Sequence, residues 1–269
     1  VNAPLNLDIV KDVLGRLQFL VKASGAERER GVTWRQPVVC VIATIVCTAL
    51  AIWAVIEAPV EPAPGVSGLY VAAAVFVPLA LWFGVWGVLA GYLSCIFMAL
   101  YVGYALDFAL VWSLADLFEG LIPLLAFRIL KVEPNYSLKK PTITYGLTAL
   151  LVVTFVVSAV ATTLTWTEVF AATFFVGIII MMLQAVLEDK KTWTMWIIFG
   201  VFVASIVSGL FGVGALTGFG DIPMDVFPTV FFGWVFGDII VLSTIGTTLM
   251  VTLTPAIQRT RAYVKGYFS

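Results

Sequence analysis

The chain contains no histidine. That removes bis-histidine haem ligation, a histidine-based zinc site and any Ser-His-Asp triad. Charge is also scarce: 15 basic and 16 acidic residues in 269, or 12%, for a net charge of −1. A water-soluble domain of this length carries about 25% charged residues, so there are too few polar groups to cover a water-facing surface. Cysteine is limited to Cys40, Cys47 and Cys95, each inside an apolar block. Cys40 and Cys47 share a helix face but stand two turns apart, too far for a disulfide, and all three read as small buried apolar residues. No secretory signal peptide is expected, because Lys11, Asp12, Arg16 and Lys22 interrupt the place of its apolar core. What is present in abundance is apolar: 61% of residues are hydrophobic and the mean hydropathy is +1.06. These residues come in continuous blocks of about 18 to 25, long enough for helices to cross a bilayer, rather than the alternating ten-residue segments of a β-barrel. The fold class expected is an all-α polytopic transmembrane helical bundle.

Residues 4–24 form a separate element. Val10, Val13, Leu14, Leu17, Leu20 and Val21 recur at three- and four-residue spacing, with Lys11, Asp12, Arg16, Gln18 and Lys22 on the other face. This is an amphipathic helix, lying on the cytoplasmic headgroups or docked on a partner's helix. A charged hinge, Glu27 to Arg30, follows, with Trp34 and Arg35 as interface anchors. The spacing of apolar blocks predicts crossings at about 37–58, 69–83, 85–104, 107–130, 142–164, 168–187, 192–213 and 228–254. The stretch from Leu69 to Leu106 is too long for one crossing, and Pro78 with the Trp82–Gly87 cluster supplies its break. A Pro-rich loop, Glu57 to Gly65, separates it from the first crossing. The expected organisation is therefore a cytoplasmic helix and hinge at 1–36, a bundle at 37–256 and a cytoplasmic tail at 257–269.

The basic residues set an orientation independently. All fifteen fall in four places: residues 1–36, the connection at 128–140, Lys190 with Lys191, and the tail with Arg259, Arg261 and Lys265. The positive-inside rule makes these regions cytoplasmic. The alternation works only if residues 69–130 cross an odd number of times, which gives eight crossings with both termini inside, in the cytoplasmic membrane. The opposite face is acidic, with Glu57, Glu61, Asp107, Glu168, Asp221 and Asp225. Such a face either concentrates cations within a Debye length of roughly 8 Å or is simply what remains once basic residues are excluded from it.

Three carboxyl groups lie inside expected crossings: Asp116, Glu119 and Asp238. An aspartate at a helix centre costs roughly 2.5–3.5 kcal/mol by insertion scales. Asp116 and Glu119, three apart, share a helix face, and no lysine, arginine or histidine lies mid-membrane to neutralise them. They are protonated, hydrogen-bonded to groups such as Ser113, Ser243, Thr244 or Gln184, exposed to a water-filled cavity, or met by a cation or ligand. Two roles follow: carboxyls that tie helices together, or a binding or proton-coupled site in which Asp116, Glu119 and Asp238 contact a ligand with Gln184 nearby. Trp82, Trp86, Trp112 and Trp234 lie near crossing ends beside Gly84, Gly87, Gly233 and Gly237. They form either a membrane belt or, for Trp112 and Trp234, pocket walls. The stretch GLFGVGALTGFGDIPMD, Gly209 to Asp225, reads as a flexible outer lid or re-entrant segment. Its GxGxxG-like spacing lacks the strand and βαβ unit of a phosphate loop. No motif supports an enzyme, a cofactor, a metal or nucleic-acid binding.

Two families share features with these residues. Phe232-Gly-Trp-Val-Phe-Gly-Asp238, followed by Gly246 and Leu253-Thr-Pro255, resembles the end of eight-helix membrane-associated sensor (MASE-type) domains. Ala115-Asp-Leu-Phe-Glu119 leading to Arg128 is similar to their helix with a polar-x-x-Glu element ending in Arg. That resemblance covers residues 65–256 and implies a sensor; such domains normally precede a kinase or cyclase, whereas here residues 257–269 follow. The run from Leu69 to Leu130, with its proline, FG turn, Gly-rich helix and aspartate, resembles the substrate-binding S components of energy-coupling-factor transporters. Those have six crossings, which makes the N-terminal helix and first crossing additions. This resemblance implies a small-molecule recognition subunit without its own ATPase, whose partners are the lipid bilayer, coupling and ATPase subunits and a small solute. The alternative is a sensory or scaffolding subunit that works through a signalling protein or a larger membrane complex.

Overall fold

A computed structural model describes residues 32–57, 68–134, 136, 138–164, 167–188 and 190–269. The expected amphipathic helix at 4–24, the charged hinge and the loop at 58–67 lie outside the described residues. Every regular element among those described is helical. In chain order they are α1 (Arg35–Glu57), α2 (Ala73–Phe83), α3 (Val85–Val102), α4 (Leu106–Trp112), α5 (Leu114–Ile129), α6 (Pro141–Thr163), α7 (Thr167–Leu187), α8 (Lys190–Met195), α9 (Ala204–Phe219), α10 (Phe227–Val241) and α11 (Thr247–Ile257). A π-helical stretch, Trp196–Val203, joins α8 to α9, and another, Leu242–Gly246, joins α10 to α11.

Merged across these joints, seven helical segments are long and apolar enough to cross a membrane. Their outer faces carry bare aliphatic side chains, such as Val41, Ile42 and Ile45 on α1 and Val153, Val156 and Val157 on α6. Water would penalise such a surface and lipid does not. The chain is a multi-pass helical membrane protein.

The eighth expected segment is short and buried. Helix α2 is 11 residues long, about 16 Å at 1.5 Å per residue and short of the roughly 30 Å hydrocarbon core. It sits at the centre of the bundle against α3 and α5. Ala73, Ala74, Phe76, Val77, Ala80 and Leu81 are all fully buried. An apolar residue at nearly every position is what a helix wrapped on all sides requires. The break after it falls at Gly84, with φ 62° and ψ −138°, a backbone state that favours glycine. Gly87 then presses α3 onto the backbone of Leu79, where a Cβ would collide.

The glycine-rich stretch after Gly209 is not a lid or a re-entrant loop. It continues α9 to Phe219, and only at Gly220, with φ 85°, does the helix end. The reason is packing. Gly209 and Gly212 face α10, where added Cβ atoms would strike Val235 and the ring of Trp234. Small residues at such a face let two backbones approach, and inside a membrane a glycine segment keeps its helical hydrogen bonds because no water competes for them.

Candidate functional site

Helix α5 carries Asp116 and Glu119, and α10 carries Asp238. The three are 1%, 0% and 2% exposed. The bundle brings them together: Asp238 lies within electrostatic reach of both Glu119 and Asp116. Each has a different surrounding. Asp116 accepts a 2.9 Å hydrogen bond from the Tyr70 hydroxyl, with the Cys95 thiol also beside it. Tyr70 reaches this point because Gly237 of α10 packs flush on the backbone of Gly68, leaving no room for a side chain there. Ser208 of α9 lies beside both Glu119 and Asp238. Its hydroxyl accepts a 3.1 Å bond from Trp234 Nε1. Both oxygens of Glu119 and one of Asp238 are buried without a hydrogen-bond partner.

Above the carboxyls stands an aromatic column. Trp112 and Trp234 meet edge to face at 6.2 Å. Trp112 continues to Phe108 at 5.3 Å and Tyr104 at 5.5 Å, and Phe108 meets Phe219 at 5.2 Å. The Trp112 Nε1 hydrogen has no acceptor, although the side chain is 2% exposed. The column leads to the end of the bundle that carries the exposed Asp107, next to Phe108, and Asp221, two residues beyond Phe219.

Of the residues expected to form a site, Asp116, Glu119, Asp238, Trp112 and Trp234 share one place. Gln184 makes its bonds elsewhere: its amide donates to the Thr148 hydroxyl at 2.9 Å and the Thr144 carbonyl at 3.2 Å, tying α7 to α6. Ser243 and Thr244 bond back to the Ile240 carbonyl of their own helix. Tyr70, which bonds Asp116, and Ser208, which lies beside Glu119 and Asp238, went unrecognised in the sequence. One signal for the site was there to be read: Trp112-x-x-x-Asp116 and Trp234-x-x-x-Asp238 place the same pair one helical turn apart on two segments that meet.

A second feature lies at the opposite, basic end. Arg128, in the last turn of α5, donates from Nε to the Gly266 carbonyl at 2.8 Å and from Nη2 to the carbonyls of Val264 at 2.8 Å and Leu81 at 3.1 Å. Val264 N donates to Trp82 O at 2.9 Å and Val85 N to Tyr267 O at 2.8 Å. Trp86 Nε1 donates to the Phe268 carbonyl at 3.0 Å. Residues 263–269 are thereby a strap across the α2–α3 break, and the helix that carries two of the buried carboxyls holds it. Nearby, Glu188 accepts from the backbone amides of Lys139 and Lys140 and from the Thr144 hydroxyl, capping the start of α6. Burial raises the Glu188 carboxyl, but the Thr144 hydroxyl, these amides and the Lys139 charge outweigh it and hold the group below its ordinary range.

The π-helical stretches also adjoin the site. Leu242–Gly246 begins one turn after Asp238, and Trp196 of the other stretch donates from Nε1 to Thr247 at 2.9 Å. Such interruptions of α-helices are frequent at functional sites. Comparison with known proteins finds no matching family model, no similar curated protein and no similar solved structure.

Proposed function

We propose that the chain is a membrane-embedded recognition subunit that takes a small solute to Asp116, Glu119 and Asp238, in the manner of an S component. The observation that supports this most is Glu119, a fully buried carboxyl with no geometric hydrogen bond to either oxygen and the Ser208 hydroxyl beside it. A group whose only role is to tie helices would be expected to have a partner, because a buried carboxyl without one costs stability and returns nothing. A proton or an incoming donor has to complete it. Under this reading the chain crosses the cytoplasmic membrane eight times with α2 as the short crossing, both termini inside. The solute enters from the acidic end, and separate coupling and ATPase subunits supply the energy. The subunit does no chemistry on the solute. The test is native mass spectrometry of the protein purified in mild detergent: a retained small molecule that Glu119→Gln releases supports the reading. An empty interior in both forms opposes it.

A second reading, a sensory or scaffolding subunit signalling to a separate partner, has its own support in the strap. Arg128 is nine residues beyond Glu119 on α5 and holds residues 263–269. A shift of that helix on ligand binding would alter the docking of the strap. A signalling protein among co-purifying chains would favour this reading; ATPase subunits would favour transport.

A further inference from the structure

Resting on the recognition reading, we infer that the solute is an organic cation, an ammonium compound with a hydrogen-bond acceptor close to its charge, received by the paired Trp112–Asp116 and Trp234–Asp238 turns. Four observations converge on this class. The interior site holds three carboxyls and, among the described residues, its neighbours Tyr70, Cys95, Ser208 and the two tryptophans bring no positive charge. The unbonded oxygens of Glu119 and Asp238 call for a donor or a cation, and the cluster offers an anionic solute no positive charge to pair with. Arg128, the basic residue of α5, is committed to three carbonyls at the other end.

The walls are the second observation. Two indoles that meet edge to face, with Phe108 and Tyr104 behind them, stand one helical turn from Asp116 and Asp238 and carry electron-rich faces. Cations with methyl or methylene groups bind such faces better than a strongly hydrated metal ion does, because little hydration has to be given up. The third is the orphan Trp112 Nε1 hydrogen, 2% exposed. With the Tyr70 hydroxyl already given to Asp116 and Trp234 Nε1 to Ser208, this free donor assigns a hydroxyl or carbonyl oxygen to the ligand. The fourth is the rim. Phe108 and Phe219 meet at 5.2 Å and place the exposed Asp107 and Asp221 at the head of the aromatic column, where they attract cations and not anions.

The experiment uses the full chain in lipid nanodiscs with calorimetric titration of choline, its neutral carbon isostere 3,3-dimethylbutan-1-ol, tetramethylammonium and sodium ion. Choline should bind saturably, at least about tenfold more tightly than the neutral isostere and more tightly than tetramethylammonium, which lacks the oxygen. Sodium should not compete at equal concentration. Asp238→Asn and Trp112→Leu should each weaken choline about tenfold or more. Asp107→Asn with Asp221→Asn, both at exposed positions and with the amide oxygen that replaces the Asp107 carboxylate still able to accept from Phe108 N, should weaken it less and flatten its salt dependence. Equal binding of choline and its isostere, or no choline binding while native mass spectrometry finds a neutral or anionic solute retained, overturns the cation inference and leaves the recognition reading standing. No choline binding and no retained solute removes both.

Discussion

Substituting Gly84→Ala tests how the strap is held. Gly84 has φ 62° and ψ −138°, and a Cβ there would collide with the Tyr267 carbonyl and sit 3.0 Å from Val264 Cγ1. The backbone state alone costs a non-glycine residue about 1–3 kcal/mol. Relieving the collision by moving the strap sacrifices the Val85–Tyr267 bond of 2.8 Å and strains the Val264–Trp82 bond of 2.9 Å, each worth about 0.5–1.5 kcal/mol. The collision and the two bonds fall on strap docking and together cost about 3 kcal/mol, roughly a hundredfold rise in the undocked population, whereas the backbone cost stays in the α2–α3 break. Lys265 is exposed yet lies between the bonded residues Val264 and Gly266, so trypsin needs local opening to cut after it. Cleavage tracks the open population when reclosing is fast. In nanodiscs the rate at Lys265, followed by mass spectrometry of the released peptide, should rise roughly a hundredfold in the variant. The melting temperature of the bundle should fall only by the share that the backbone cost at position 84 accounts for. An unchanged cleavage rate would mean that the strap is not held by this junction and would refute the argument.

Two further outcomes follow from the packing and the charges. Glu188→Gln should destabilise the α6–α7 hairpin at neutral pH by about 1–3 kcal/mol through loss of charge-assisted caps. Because the Glu188 carboxyl is held below its ordinary range, its contribution is complete above the unfolded-state value and disappears as pH falls through the folded-state value. Melting curves of wild type and variant should therefore converge as the solution is acidified below about pH 4. Gly212→Val should push the Trp234 ring away, since a Cβ at Gly212 would overlap it. It should cost about 1–3 kcal/mol by overpacking and shift tryptophan emission as the bond to Ser208 breaks. An unshifted spectrum with unchanged stability would contradict the close α9–α10 contact.

Much of the architecture was legible because lipid imposes a length on each apolar block. The expected crossings at 37–58, 142–164 and 168–187 differ by at most two residues at either end from α1, α6 and α7, where proline or charge bounds the run. The crossing expected at 107–130 is one membrane-length segment, Leu106–Ile129, with a single turn residue, Ser113, between α4 and α5. The stretch after Gly209 was misread because glycine signals a loop in water, while inside the bundle it marks a close helix contact. Asp116, Glu119 and Asp238 stood out because charge inside an apolar run is costly. Tyr70, Ser208 and the strap did not stand out: their roles depend on contacts between distant parts of the chain, such as Gly237 against Gly68, that carry no local period. The π-helical stretches have no compositional mark at all.

The central claim is that the buried carboxyls form a binding site and are not helix ties, and Glu119→Gln tests it most directly. Glutamine keeps the shape of the side chain but fixes a neutral group where Glu119 has two unbonded oxygens. Solute retention by native mass spectrometry and thermal stability are measured on the same nanodisc preparations. The account predicts that retention falls by about tenfold or more while the melting temperature is unchanged or raised, since a site built for a ligand is under-satisfied without it. A fall in stability with no solute retained by either form would show that Glu119 holds the bundle together, and would contradict the account.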